Sequence, residues 1–275
     1  PNEFIQKPLR WLDAISRYHA TVSGGPNFAF DFCIQKITDE QKKNLDLSSW
    51  KTAFCGAEPI HSNTFLNFFK AFEPCGFHYE ALYPCYGLAE ATLLVAGSKN
   101  DQIPSLTQFN RILLENGKVS TEGGSEERFV TLPSCGYPVE EQELLIVNPE
   151  TCLCCAENEI GEIWIKGDSV AKGYWEKEDI TKEVFGGYLA DNHKGPYLRS
   201  GDMGFIFEDE LYITGRLKEM LIIRGKNYYP NDLEQAVKEE HPILKNSVGT
   251  AFSITENSME QLVMVFELPD EIIHE

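Results

Sequence analysis

The sequence predicts an α/β protein: a mostly parallel sheet with flanking helices, a β-rich subdomain, and then the start of a small α+β C-terminal domain. Three observations carry this. Short apolar strand patterns alternate with helical patterns from Pro8 to Gly97, the order that builds parallel sheets. Short strands and turns dominate from Cys135 to Arg216. Beyond Arg216 a helix pattern is followed by two strand patterns, so the organisation changes there.

In chain order, Pro8 to His19 sets Leu9, Leu12, Ala14, Ile15 and Tyr18 on one helical face, with Arg10, Asp13 and Arg17 opposite. Thr21-Val22-Ser23 reads as a buried strand, and Gly24-Gly25-Pro26-Asn27 as a turn opening the next helix. Thr52 to Cys55 is a second strand. Gly56-Ala57-Glu58-Pro59 follows it, and then a helix whose Phe65, Phe68, Phe69 and Phe72 recur at core spacing. Leu82 to Cys85 is a third strand, and Tyr86 to Thr92 is expected to turn into a helix. Tyr86, Gly87 and Glu90 then fall at the carboxyl end of a strand, where open α/β sheets bind ligands. From Ser98 to Pro133 the periodicity weakens, and an irregular exposed region is expected. Gly123-Gly124-Ser125 and Glu126-Glu127 lie within it, and no Gly-Lys-Ser or Gly-Lys-Thr follows the glycine pair. Glu143 to Val147, Ile160 to Lys166 and Phe205 to Thr214 are strand patterns, with His193 in a polar turn expected to be solvated. Asn231 followed by Glu234 reads as a capping box, and Ser247 to Ile254 and Gln261 to Leu268 as strands.

Composition narrows the function. The chain has 275 residues, 42% of them hydrophobic and 17 of them Phe, enough for a large folded core. The formal charge of -19 argues against nucleic acid or an anionic membrane surface as partner, since both need facing Lys and Arg. No apolar run is long enough to span a bilayer, and the N-terminal order is not that of a signal peptide, so a cytoplasmic location is the expectation. The 8 Cys fit it: Cys33, Cys55, Cys85 and Cys135 sit among apolar neighbours. Cys152, Cys154 and Cys155 cluster between two strands, without paired ligands elsewhere to suggest zinc.

Chemistry concentrates in Tyr197 to Pro230. Gly201-Asp202 can place a carboxylate at a strand end, where it suits a vicinal diol. Phe205 to Phe207, the polar Glu208-Asp209-Glu210 and Leu211 to Ile213 read as a tight hairpin that returns Gly215-Arg216 beside Asp202. A carboxylate and a planar guanidinium there can hold a sugar and a neighbouring phosphate or carboxylate; the alternative is a surface ion pair.

SGDMGFI, YITGRLKEMLIIRGKNYYP, YGLAEATLLV, QKPLRWLDAISRYHATVSGGPNF and AFCGAEPI together resemble the adenylate-forming superfamily of acyl and aryl ligases, and within it the fatty acyl-AMP ligases. The resemblance implies ATP-dependent activation of a long-chain fatty acid to acyl-AMP, with Mg2+ carried by ATP and an acyl carrier protein as acceptor. It implies that Asp202 holds the ribose hydroxyls and Arg216 the sugar and phosphate region. Gly56, Ala57, Glu58, Tyr86 and Gly87 would border the adenine, with a Tyr ring able to stack on it. Glu90 would hold the magnesium, against the alternative of a helix-dipole partner. Gly25, Pro26, Asn27 and Phe28 would lie near the carboxylate end of the acyl chain, the alternative being a helix start with packing residues. Lys218 would occupy an interdomain hinge. Residues 1–216 become the latter part of the large domain with the acyl and nucleotide sites, and 217–275 the hinge and the beginning of the small domain.

The family's Ser/Thr/Gly-rich phosphate loop and its late catalytic Lys have no counterpart here, so the chain is expected to be an internal fragment of a longer enzyme. Ser98 to Pro133 is where the insertion that distinguishes acyl-AMP from acyl-CoA ligases would lie. A long-chain acyl-CoA ligase and a non-catalytic module binding a carrier protein are the alternatives.

Overall fold

Helices α1 (Asn2–Gln6) and α2 (Leu9–Tyr18) lead into β1 (Val22–Gly25), and α3 (Asn27–Lys36) and α4 (Asp39–Lys42) connect it to β2 (Thr52–Cys55). After α5 (Ser62–Phe72) comes β3 (Leu82–Leu88). The computed structural model describes residues 2–99, 102–123, 129–223, 226–244, 247–256 and 259–268. β1, β2 and β3 pair in parallel, as alternating strands and helices require. Leu12 and Ile15 of α2 are buried, and so are Phe65, Phe68 and Phe72 of α5. These side chains meet Phe30, Trp50 and Phe77 in one core. Phe68 stands edge-on to Phe30 at 4.9 Å and to Phe77 at 5.1 Å, the arrangement favoured by ring quadrupoles. β1 takes in Gly24 and Gly25, which the sequence had suggested as a turn.

The helix expected from Tyr86 to Thr92 is not there. β3 continues to Leu88, a single 3-10 turn spans Ala89–Ala91, and β4 (Leu93–Gly97) returns antiparallel to β3. Thr92 takes a left-handed conformation at φ 54° and reverses the chain, and apolar Leu93 to Val95 then favour a strand. Gly87 permits the reversal, because a Cβ there would collide with the Leu93 carbonyl.

Ser98 to Pro133 is more ordered than its composition suggests. β5 (Leu106–Asn110) pairs antiparallel with β6 (Phe129–Pro133), and α6 (Arg111–Glu115) is capped by the Asn110 carboxamide, which accepts from the Ile112 and Leu113 amides at 3.1 and 3.3 Å. Phe109 is fully buried against Phe205, Phe207 and Tyr212. Gly124, Ser125, Glu126 and Glu127 lie outside the described residues. β7 (Tyr137–Pro138) completes a 5-stranded sheet in the order β1-β2-β3-β4-β7.

The β-rich part is a 4-stranded antiparallel sheet. It contains β8 (Glu143–Val147) and β9 (Gly161–Lys166), then α7 (Glu178–Phe185), β10 (Leu198–Phe207) and β11 (Glu210–Arg216), in the order β11-β10-β9-β8. Cys152, Cys154 and Cys155 lie in the β8–β9 connection. Among the described residues no group of three or more His, Cys, Asp or Glu side chains is arranged to hold a metal ion. His193 is exposed, as expected.

Beyond Arg216 come β12 (Leu221–Ile223), β13 (Lys226–Tyr228), α8 (Pro230–Glu240), and the hairpin of β14 (Gly249–Glu256) and β15 (Met259–Phe266). The capping box at Asn231 and Glu234 does not form. Pro230, with its φ already set for a first helical position, starts the helix two residues earlier with Tyr229 as the cap. Glu234 instead accepts from the Ala251 amide at 2.9 Å, tying α8 to β14. Among the described residues no helix is long and apolar enough to cross a membrane.

Candidate active site

Asp202 occupies an irregularity in β10. Between Arg199, opposite Trp164, and Met203, opposite Glu162, the β9–β10 register shifts. Gly201 sits there at φ 73°, a left-handed conformation that glycine adopts without steric cost. Partly buried bonds fix the bulge. The Gly201 amide donates to Glu162 Oε1 at 3.2 Å, the Asp202 amide to Ser200 Oγ at 3.0 Å, and the Ser200 hydroxyl to the Ile163 carbonyl at 2.7 Å. Glu162 is 2% exposed, and its other oxygen receives Arg199 Nη2 and Trp164 Nε1, both at 2.9 Å.

The second register shift lies on the other side of β10. From the hairpin turn to Gly204, opposite Ile213, pairing proceeds residue by residue; Met203 then faces Gly215, and Asp202 faces Arg216. Without that one-residue bulge Gly215 would stand opposite Asp202, and Arg216 would point to the other face.

Both carboxylate oxygens of Asp202 are engaged. The Tyr86 hydroxyl, delivered by the end of β3, donates to Oδ2 at 2.7 Å, and Arg216 Nε donates to Oδ1 at 3.1 Å. Burial pushes the Asp202 carboxyl above its usual range, opposed by the Tyr86 hydrogen bond and the Arg216 charge. Burial likewise holds the Tyr86 phenol well above its ordinary value, reinforced by the Asp202 charge. The pair differs from a surface ion pair in one respect: the Asp202 side chain is 10% exposed against 64% for Arg216.

These groups open on a cleft of about 690 Å³. Ala57, Glu58, Tyr86, Gly87, Asp202 and Arg216 line one side, and Tyr228, Tyr229, Asn231, Asp232, Gln235 and Glu239 contribute from the segment beyond Arg216. The two sides are joined where Thr214 Oγ1 donates to the Tyr229 hydroxyl at 3.1 Å, Asn63 Nδ2 to Glu239 at 3.3 Å, and Lys226 to Glu115 at 3.2 Å.

The other sequence candidates lie around the cleft. Among the described residues, its lining excludes Gly25, Pro26, Asn27, Phe28, Gly56, Glu90 and Lys218. Gly56 follows β2 directly. Glu58 reaches back to α3, accepting from the Phe28 amide at 2.6 Å. Gly25 ends β1 and Pro26 precedes α3. Asn27 is 4% exposed; its amide donates to Asp31 and Thr64, each at 3.1 Å, and its carbonyl accepts from the His61 amide at 3.0 Å. Those bonds clamp α3 to α5. Glu90 lies on the 3-10 turn, where Oε1 accepts from the Tyr174 hydroxyl at 2.6 Å and its carbonyl accepts from the Ala171 amide at 2.7 Å. The Tyr174 phenol is pushed up to about 12 by burial and by Glu90. Lys218 is exposed on the 3-10 turn Leu217–Glu219.

Sequence reasoning missed Asp232, Arg111, His61 and Tyr229. Each belongs to the cleft only because distant elements meet there, and an Asp in the first turn of a helix reads locally as a dipole partner.

Residues 1–175 match the family described as AMP-binding enzyme. The chain is 44% identical over 272 residues to the medium-chain-fatty-acid acyl-carrier-protein ligase JamA of Moorena producens, covering 98% of this chain and 46% of that protein. It is 38% identical over 273 residues to a long-chain-fatty-acid AMP ligase of Mycobacterium tuberculosis, covering 98% and 45%. The structure of the fatty acyl-adenylate ligase from L. pneumophila in complex with acyl adenylate and pyrophosphate superposes with a TM-score of 0.78 at 42% identity, covering 100% of this chain and 48% of that one. The chain spans about half the length of the curated relatives it matches.

Proposed function

Since the chain belongs to the AMP-binding enzyme family, we propose that it carries the nucleotide-binding face of a fatty acyl-AMP ligase. In the reaction, a fatty carboxylate oxygen attacks the α-phosphorus of ATP; the new acyl phosphate bond forms as the bond to the β-phosphate oxygen breaks, releasing pyrophosphate. Little covalent chemistry is asked of the protein, so orientation and charge stabilisation supply the catalysis. The observation that carries the reading is the buried Asp202 carboxylate held between Tyr86 and Arg216 on the wall of the cleft.

In this reading Asp202 accepts the ribose hydroxyls, and Arg216, whose side chain is mostly exposed, turns its remaining donors toward the sugar and phosphate. Gly56, Ala57, Glu58, Tyr86 and Gly87 border the base. Gly25, Pro26 and Phe28 approach the acyl carboxylate, with Asn27 holding α3 in place. Glu90 suits magnesium as a single carboxylate completed by substrate phosphates and water, and the ion would neutralise charge on the phosphates. Lys218 lies two residues past the end of β11, a place suited to a hinge between 1–216 and 217–275. The substrate is a medium- to long-chain fatty acid, and the acceptor an acyl carrier protein, as in the name of the Moorena relative.

Calorimetric titration with a non-hydrolysable acyl-adenylate analogue tests the site. Asp202→Ala removes two charge-assisted hydrogen bonds worth roughly 1.5 to 3 kcal/mol each, so affinity is expected to fall by about a hundredfold or more. Equal affinity in the two proteins would rule out the ribose role. A second reading, coenzyme A as acceptor, is favoured by a relative named putative fatty-acid–CoA ligase at 40% identity. Labelled fatty acid incubated with ATP, magnesium and coenzyme A decides between the two: accumulated acyl-AMP supports the first, efficient acyl-CoA formation the second.

A further inference from the structure

Given the ribose role proposed for Asp202, we propose that Tyr86 is a positioning residue whose hydroxyl orients the Asp202 carboxylate and keeps it charged. The Tyr86 side chain is largely enclosed, 8% exposed, and packs in one core cluster with Ala91, Val95, Ala96 and Cys135. What it extends to Asp202 is its hydroxyl, which donates to Oδ2 at 2.7 Å. Arg216 Nε occupies Oδ1 at 3.1 Å. A carboxylate offers about four lone-pair directions, so with one taken on each oxygen a pair remains for the two hydroxyls of a vicinal diol. Between the two holders the burden is unequal. Arg216 is largely exposed and its attraction is screened by solvent, whereas the Tyr86 bond is buried and acts at full strength.

The same geometry governs ionisation. The Asp202 carboxylate is faced by Tyr86 from β3, by Arg216 from β11 and by Glu219 from the turn after β11, while Ser200 on its own strand accepts from the Asp202 amide and lies beside the Tyr86 hydroxyl. Burial and Glu219 disfavour the charge; Tyr86 and Arg216 favour it. Removing the Tyr86 hydroxyl leaves a screened guanidinium as the main counterweight, so the carboxyl protonates at higher pH. A protonated Asp202 loses its charge and part of its acceptor capacity toward the diol.

Carboxyl carbon NMR of the full chain labelled in aspartate tests this without any ligand, with the Asp202 resonance assigned through Asp202→Asn. Tyr86→Phe keeps the ring and is expected to raise the Asp202 midpoint by about one to two pH units, the worth of one charge-assisted hydrogen bond. Arg216→Gln is expected to raise it less. Should Tyr86→Phe misfold, 3-fluorotyrosine at position 86, nearly isosteric and a stronger donor, is expected to lower the midpoint instead. An unmoved midpoint in Tyr86→Phe, or in the fluorotyrosine protein, overturns the proposal. The ribose reading is checked separately, by the affinity of the acyl-adenylate analogue against its 2′,3′-dideoxy form. In Tyr86→Phe the preference for the diol is expected to shrink about tenfold, and the acid limb of binding to move up with the carboxyl midpoint. A shifted midpoint with no diol preference in either protein leaves the hydrogen-bond role standing and removes the ribose.

Discussion

Asp232 faces the cleft from the first turn of α8, and burial pushes its carboxyl up to about 6 against the attraction of Arg111. Asp232 is itself exposed to solvent, which screens part of this cost. The folded carboxyl binds its proton more tightly than the unfolded one, so between about pH 4 and pH 6 the folded chain holds more protons. Stability on this account falls as pH rises through that window. Asp232→Asn keeps the shape of the neutral acid and is expected to be more stable than the parent at neutral pH, with the gap closing toward pH 4. Urea midpoints across that range measure it, and a gap independent of pH would show that the Asp232 charge is not the cause. Asn27 offers a contrast: its polar atoms are bonded within the protein, and its part in acyl binding would be to hold α3 rather than to touch substrate.

The β10 bulge depends on Glu162, almost fully buried and paired with Arg199 at 2.9 Å. Removing one partner of a buried pair strands the other, so Glu162→Ala is expected to lower stability by about 3 to 5 kcal/mol, and Glu162→Gln, whose single amide oxygen still accepts at one of the two oxygen positions, by less. Guanidinium midpoints provide the check; equal losses would mean that the charge of Glu162, and not its shape, holds the bulge. The β10–β11 hairpin was readable in the sequence because its signals are local: aromatic and aliphatic strands around Glu208-Asp209, both at positive φ. Counting back from that turn brought Asp202 near Arg216. The elements that were not readable depend on distant partners. Glu162 lies 39 residues from Gly201. β5 and β6 find each other across a long intervening stretch, and the reversal at Thr92 depends on Gly87 letting the Leu93 carbonyl approach. Local periodicity carries no record of such contacts, which is how an expected helix became a strand and an expected loop a hairpin.

For the molecule as a whole, the charge of -19 means that folding gathers mutually repelling carboxylates. Raising sodium chloride from about 20 mM to about 300 mM shortens the Debye length from roughly 20 Å to about 6 Å, and the melting temperature is expected to rise. A melting temperature that falls would show that screened attractions, among them Lys226–Glu115, outweigh the repulsion. The cleft is itself a long-range construction, because the Tyr86–Asp202 hydrogen bond joins residues 116 apart and the wall opposite comes from later still. Closing so long a loop is entropically slow compared with forming α2, α5 or the β10–β11 hairpin, each of which is local. During refolding, secondary structure is therefore expected to return first and affinity for an adenylate last, so that the interval between far-ultraviolet dichroism and ligand capture times the docking of the two sheets.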